Sequence, residues 1–252
     1  MTDQNGARLL RGLHVPGDPV VLPNVWDAAS ARVLAEAGYP AVATASAAVS
    51  ATLGYGDGHG MPVDEAFAAI RRVAAAVDVP VTADVERGYG LPPALVAERL
   101  AEAGAVGCNL EDSDPATGRL VDLAEQVDFL AAVRAADPDL VVNARVDVFV
   151  RGAGNPDEEA FDDAVRRGRA YLEAGADCVY PITMPAGRLA AFVREVGGPV
   201  NHLHVPGSPT PAEAAALGVA RVSFGPGLQR LLMARLGELV ADLRAGRGPY
   251  AG

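Results

Sequence analysis

Eight short stretches rich in β-branched residues recur along the chain, each followed by a longer stretch whose apolar positions repeat with helical period. The pattern predicts strands over 19–23, 40–44, 79–84, 106–110, 140–145, 177–181, 199–203 and 220–224. It predicts helices over 27–37, 63–76, 92–103, 122–135, 158–174, 185–195, 211–217 and 226–244. Several helices carry a recognisable start: Asp27 before AASARVLAEAG, Pro62 and Asp64 before AFAAIRRV, and Pro92–Pro93 ahead of a helix that ends at Gly104. The strands read as continuous apolar runs, which is the mark of a parallel sheet covered by helices. Eight such units predict an α/β chain closed into a (β/α)₈ TIM barrel, and 252 residues match the roughly 250 such a barrel needs. The segment after the first strand, LPNVWDAAS, lacks the glycines of a dinucleotide-binding turn. Nothing divides the chain, so 1–252 is expected to be one domain, with 1–14 and 245–252 as terminal extensions.

Composition narrows the chemistry. A net charge of −11 argues against nucleic acid and anionic membranes as partners. No apolar run approaches the roughly 20 residues of a membrane span, and MTDQNGARLLRGLH lacks a signal-peptide core, so a cytoplasmic location is expected. Cys108 and Cys178 form neither a zinc pattern nor a disulfide framework, and both read as core residues. All 21 basic side chains are arginine. Without lysine the chain forms no Schiff base, holds no pyridoxal phosphate covalently and has no Walker lysine. A carbanion beside a carbonyl would need another stabiliser, and a metal ion can serve.

In a (β/α)₈ barrel the active site lies at the C-terminal ends of the strands. Asp57 follows the second strand, Asp84 and Glu86 the third, Glu111 and Asp112 the fourth, and Arg145 and Asp147 the fifth. Asp57, Asp84, Glu86 and Glu111 thus converge on one mouth, where carboxylates repel unless a cation offsets them. Oxygen donors of this kind suit Mg²⁺, with Mn²⁺ as an alternative. Arg145 is placed to hold a substrate carboxylate in paired hydrogen bonds. Thr44, Ala45 and Ser46 offer hydroxyl and N–H donors, and Asn24 and Trp26 stand at the end of the first strand as candidate pocket-floor residues. The loop LGYGDGHG reads as a glycine-rich turn or lid. On the seventh strand, His202 and His204 share one face while Asn201 and Leu203 share the other, so only one pair faces inward. Tyr180, His202, His204 and His59 remain alternatives for a proton donor, and Asn201 and Tyr180 are candidate substrate contacts.

These segments resemble the isocitrate lyase/phosphoenolpyruvate mutase superfamily over about 15–244, through PAVATASAAVSATLGYGD, PVTADVERGYG, AGAVGCNLEDS, VVNARVDVF and YLEAGADCVY. The resemblance implies Mg²⁺ near Asp57, Asp84, Glu86 and Glu111, partly through water. It implies a 2-oxo acid whose carboxylate meets Thr44–Ala45–Ser46 and Arg145, and chemistry through the enolate of pyruvate, with Arg145, Glu111 and Asp57 in the catalytic set. It also implies a homo-oligomer, dimer or tetramer, in which the last helix contacts a neighbour; Leu228, Leu231, Leu232, Leu236 and Leu239 form an apolar stripe there. Lyases of the family carry a Lys-[Lys/Arg]-Cys-Gly-His loop where this chain reads SDPATGRLVD, and the mutases' lysine and asparagine are also missing. Ala45 and Ser46 replace glycines, and Glu86 replaces the usual Asp. The chain is therefore expected to be a short-loop member acting on a small carboxylic acid by decarboxylation of an oxaloacetate-like substrate or simple C–C cleavage. Phosphonopyruvate-type C–P chemistry and a barrel that only binds a metabolite are the alternatives.

Overall fold

The computed structural model describes residues 1–58, 60–114, 116–151, 158–248 and 250, so the expectation for His59 lies outside the described residues. The chain opens with helix α1 (Gln4–Gly12), capped by Asp3, and a hairpin of β1 (His14–Val15) on β2 (Asp18–Leu22). Pro23 has no N–H to give a neighbour, and it separates β2 from β3 (Asn24–Val25). β3 begins a six-stranded parallel sheet that continues through β4 (Val42–Thr44), β5 (Val81–Asp84), β6 (Gly107–Glu111), β7 (Val141–Val146) and β8 (Cys178–Pro181). β9 (Asn201–Leu203) and β10 (Arg221–Ser223) belong with β1 and β2 in a second, four-stranded arc. Val222 lies opposite Val21 in the parallel pairing of β10 with β2, and a parallel bridge joins Val179 to Val200. The two arcs meet at both seams, and the result is the (β/α)₈ barrel expected from the sequence, with β2 and β3 as one broken strand.

All eight expected strands are present, their ends shifted by a residue or two. The expected helices appear as α2 (Ala28–Glu36), α4 (Val63–Ala74), α5 (Pro93–Glu102), α6 (Leu123–Ala136), α8 (Glu158–Glu173), α9 (Leu189–Val196), α10 (Pro211–Ala216) and α11 (Gly227–Arg244). Three further helices had no distinct sequence signal: α1, α3 (Ser46–Leu53) and α7 (Val148–Arg151). α3 lies between β4 and the glycine-rich loop LGYGDGHG, whose first residue, Leu53, ends the helix. Its small residues Ser46, Ala48, Val49 and Ser50 are all buried, so no polar stripe marks a solvent face.

The outer core lies between strands and helices, where Val85, Leu110, Val142, Ala144 and Val179 meet Leu100, Leu130, Val133 and Phe192. Inside the barrel the bottom is closed by α1. Its Ala7 and Leu10 pack on Leu22, Ala41, Ala43, Val106 and Val141. Gly107 makes room for this plug, because a Cβ there would sit 2.7 Å from Leu10 Cδ2 and 3.0 Å from the Val141 carbonyl oxygen. Arg11 fastens the helix through a 2.6 Å ion pair to Asp177. Both cysteines are fully buried, and burial pushes each thiol up to about 12, which fits the expected core role. No helix among the described residues is long and apolar enough to cross a membrane.

Candidate active site

Above the plug the barrel interior turns polar. Asn143 Nδ2 donates to Asn109 Oδ1 at 2.8 Å, Asn201 Nδ2 to Ser223 Oγ at 3.0 Å, and Arg221 Nε to the same hydroxyl at 3.2 Å. These residues alternate with outward apolar ones on their strands, as period two requires. Arg221 is only 1% exposed, and burial lowers its pKa; its partners are hydroxyl and amide oxygens rather than a carboxylate.

On this polar layer sits a cavity of about 320 Å³ at the C-terminal ends of the strands. Its acidic wall is formed by Asp57, Asp84, Glu86 and Glu111, which come from the segments after β4, β5 and β6. Asp84 is fixed at both ends: Ser46 N and Oγ donate to its Oδ2 at 3.2 and 3.0 Å, and its own amide donates to Thr44 Oγ1 at 3.0 Å. Glu86 is buried with a φ of +52°, a left-handed conformation costly for a side-chain-bearing residue. The β5 turn is clamped to β6, because the Glu111 amide donates to the Glu86 carbonyl at 2.9 Å. Gln126 Nε2 in turn donates to the Glu111 carbonyl at 3.0 Å.

Glu111 and Arg145 meet in a 2.6 Å ion pair across the β6–β7 register. The same Arg145 Nη2 also donates to Asp147 Oδ2 at 2.8 Å, and Nε donates to Asp147 Oδ1 at 2.6 Å. One guanidinium therefore serves two buried carboxylates. Burial drives the Glu111 carboxyl well above its ordinary range; Arg145 opposes that rise, and Asp147, Asp84 and Glu86 add to it. Asp147 is held from behind by Ser113 Oγ at 2.5 Å, and its amide donates to Asp112 Oδ1 at 2.7 Å. Asp112 completes the chain on the outside of the barrel, accepting from Tyr171 Oη at 2.7 Å and Arg167 Nη1 at 3.2 Å.

The structure gathers Asn24, Ala45, Ser46, Asp57, Asp84, Glu86, Glu111, Arg145 and Tyr180 around the one cavity. Three residues expected as substrate contacts are not among those that line it. Trp26 faces away from it, packing toward Val49 and Met61 and lining an apolar groove with Leu228 and Leu232. Thr44 and Asn201 lie beneath the lining, Thr44 bonded to Asp84 and Asn201 to Ser223. The donor segment is also redirected. Ser46 N is bonded to Asp84 and Ala45 N to the Val25 carbonyl at 3.3 Å, so both amides position protein groups. Asn201 and His202 both line a separate pocket beside Leu189 and Met184. His204 stacks edge-on against Phe224. Among the described residues no histidine or cysteine lines the site, and Tyr180 is its one phenol, raised above its ordinary range by burial. Where the lyases carry their cysteine loop, Ser113 bridges Leu120 and the Asp114 amide donates to the Arg119 carbonyl at 2.7 Å.

Sequence reasoning missed Asn109, Thr183, Ser223, Arg151 and Arg230, all of which line the cavity. Asn109 was detectable, since it lies two residues before Glu111 and so on the same face. Arg151 and Arg230 carried no such signal, because each sits on a helix whose start decides where it points.

No three His, Cys, Asp or Glu side chains among the described residues stand as a ready ligand set for an ion. The reason lies in the contacts above: Glu111 is turned to Arg145 and Asp84 to Ser46. An ion that keeps several waters and takes one or two direct carboxylates is compatible with this donor set. Four carboxylates on one wall and the raised Glu111 carboxyl also call for positive charge there.

The chain was compared with known proteins. Residues 10–244 match the family described as phosphoenolpyruvate phosphomutase. An uncharacterized protein of Mycobacterium tuberculosis is 36% identical over 84% of this chain and 80% of its own length. Phosphonopyruvate hydrolase of Variovorax sp. is 30% identical over 86% of this chain and 80% of its own. Among solved structures, a Burkholderia cenocepacia J2315 protein provisionally described as a phosphonomutase superposes with a TM-score of 0.87 at 43% identity, covering 94% of this chain and 99% of that one. Oxaloacetate acetylhydrolase with its product oxalate gives 0.83 at 25% identity, covering 97% and 88%. A barrel of this topology, an acidic wall at three consecutive strand ends and a match over nearly the whole chain place it in the isocitrate lyase/phosphoenolpyruvate mutase superfamily of enzymes.

Proposed function

We propose that this protein is a Mg²⁺-dependent enzyme that cleaves or decarboxylates a small 2-oxo or 2-hydroxy carboxylic acid through the enolate of pyruvate. The observation that carries the reading is one small cavity lined by Asp57, Asp84, Glu86 and Glu111 together with Tyr180 and Arg145. The four carboxylates would hold Mg²⁺ or Mn²⁺, in part through water, and the ion would supply Lewis-acid stabilisation of the oxygen that becomes the enolate. Ser46 keeps Asp84 oriented, and Gln126 keeps the end of β6 in place. In decarboxylation of an oxaloacetate-like acid, the electron pair of the breaking C3–C4 bond passes to C2–C3, CO₂ leaves, and C3 then takes a proton. Tyr180 holds that proton at neutral pH because burial raises its phenol. A cysteine acid is absent from the described lining, which favours substrates whose leaving group needs no protonation.

The test is pyruvate formation coupled to lactate dehydrogenase and NADH, with and without Mg²⁺, against enzyme-free blanks. The panel is oxaloacetate, phosphonopyruvate, methylisocitrate and dimethylmalate. We expect a Mg²⁺-dependent signal on oxaloacetate, reduced at least about 100-fold in Glu111→Gln. Tyr180→Phe should slow turnover while leaving Mg²⁺-dependent oxalate binding intact. Pyruvate and phosphate from phosphonopyruvate alone would favour the C–P reading that the Variovorax relative suggests. Silence across the panel with oxalate bound would leave a barrel that binds without turning over.

The same reading includes a cytoplasmic homo-oligomer. α11 exposes Leu231, Leu232, Met233, Leu236, Val240 and Leu243, so its apolar stripe is not spent on its own barrel. Beside it, Trp26, Val33 and Leu34 line an apolar groove with Leu228 and Leu232. An apolar face this continuous marks an interaction site. Light scattering is expected to give a dimer or larger assembly, and Leu232→Arg with Leu236→Arg a monomer; a monomeric parent would refute the assignment.

A further inference from the structure

The cavity is lined by side chains of both charges. Its carboxylates all come from the segments after β4, β5 and β6, whereas Arg151 ends α7, after β7, and Arg230 lies in the first turn of α11, after β10. Arg145, on β7, is already shared by Glu111 and Asp147 through Nε and Nη2 at 2.6–2.8 Å. Arg145 is thus committed to two carboxylates of the protein. Arg151 and Arg230 are different. Both line the cavity, both are exposed, and among the described residues neither makes an ion pair or a side-chain hydrogen bond. An arginine fork of this kind matches a carboxylate or phosphonate group.

Building on the proposed reading of the site, we infer that Arg151 and Arg230 are specificity-determining residues that bind an anionic group at the end of the substrate remote from the acidic wall. The preferred ligand carries one acid group toward that wall and a second toward the two arginines. Thr183, Gly225 and Pro226, which line the same side, fix the width of this half. Two exposed arginines also gain ligand charge at the mouth, where attraction is screened by salt.

Calorimetric titration in Mg²⁺ with three probes tests this. Oxalate occupies only the side of the acidic wall; 2-oxoglutarate and 2-oxopentanoate share a five-carbon skeleton and differ in the distal carboxylate. The expected result is at least about tenfold tighter binding of 2-oxoglutarate than of 2-oxopentanoate, with a steeper salt dependence. Arg151→Gln with Arg230→Gln should abolish that preference and leave oxalate affinity within about twofold. Both side chains are exposed, and circular dichroism checks that the variant folds. Oxalate binding without a preference for the distal carboxylate in the parent overturns the inference alone, as does equal weakening of all three probes. Failure of oxalate to bind the parent in Mg²⁺ overturns the reading of the acidic wall, and this inference with it.

Discussion

Arg145→Met is expected to cost about 3–5 kcal/mol of folding stability and to abolish turnover. The size follows from what the guanidinium holds. Glu111 is 5% exposed and Asp147 is fully buried, and both face the same side chain at 2.6 Å. Methionine fills much of the volume but leaves two buried carboxylates without a cation, the circumstance in which breaking an ion pair costs most. Urea unfolding at pH 7 reads the effect. Mg²⁺ should return part of the loss, since Glu111 borders the acidic wall, whereas Asp147 lies behind it. A variant within about 0.5 kcal/mol of the parent would show that these carboxylates are solvated or already neutral.

The second large effect is expected from outside the barrel. Arg167→Met removes the cation bonded to Asp112 and, through Nε at 3.1 Å, to Asp163. Asp112 is fully buried beside Asp147, and burial first, then Asp147, raises its pKa; the Tyr171 bond, the Asp147 amide and Arg167 act against that. Losing Arg167 raises it further, and the expected cost is about 3 kcal/mol at pH 7. A carboxyl whose folded pKa lies above its unfolded value of 3.8 favours the folded state fully below 3.8 and loses that contribution as pH rises through the folded value. The deficit of the variant should therefore be greatest at neutral pH and shrink as pH falls toward 4. Unfolding curves at pH 7 and pH 5 measure this, and a deficit independent of pH would point to lost packing of the arginine stem instead. Because Asp112 bonds the Asp147 amide, and Asp147 holds Arg145, the variant should also bind substrate more weakly.

The architecture was legible because strand–helix alternation is written in hydrophobic period, and eight apolar strands leave little choice but closure. The acidic wall was legible for a related reason: a charged residue at the end of an apolar strand stands out against its neighbours. What did not show was anything set by packing between distant segments. Ser46 reads as a donor for a ligand, yet its amide and hydroxyl both serve Asp84, 38 residues away. Trp26 follows a barrel strand, yet its ring turns to the outer groove, because Val49 and Met61 offer it an apolar surface. α1 reads as a terminal extension, and only the glycine at position 107 hints that something must approach β6 closely.

The barrel is assembled from two hydrogen-bonded arcs joined at Pro23 and at a single bridge between Val179 and Val200. The six-stranded arc carries the whole acidic wall together with Arg145 and Tyr180, while Ser223, Gly225, Pro226 and Arg230 belong to the other. The segment after β10 thus brings Arg230 to the cavity from a piece of the chain that carries none of its carboxylates. Substitutions after β10 can alter the cavity without touching any residue of the acidic wall, whereas Arg151 and Thr183 follow strands of the six-stranded arc. A library aimed at the proposed second acid site would therefore join positions 151 and 183 to those after β10.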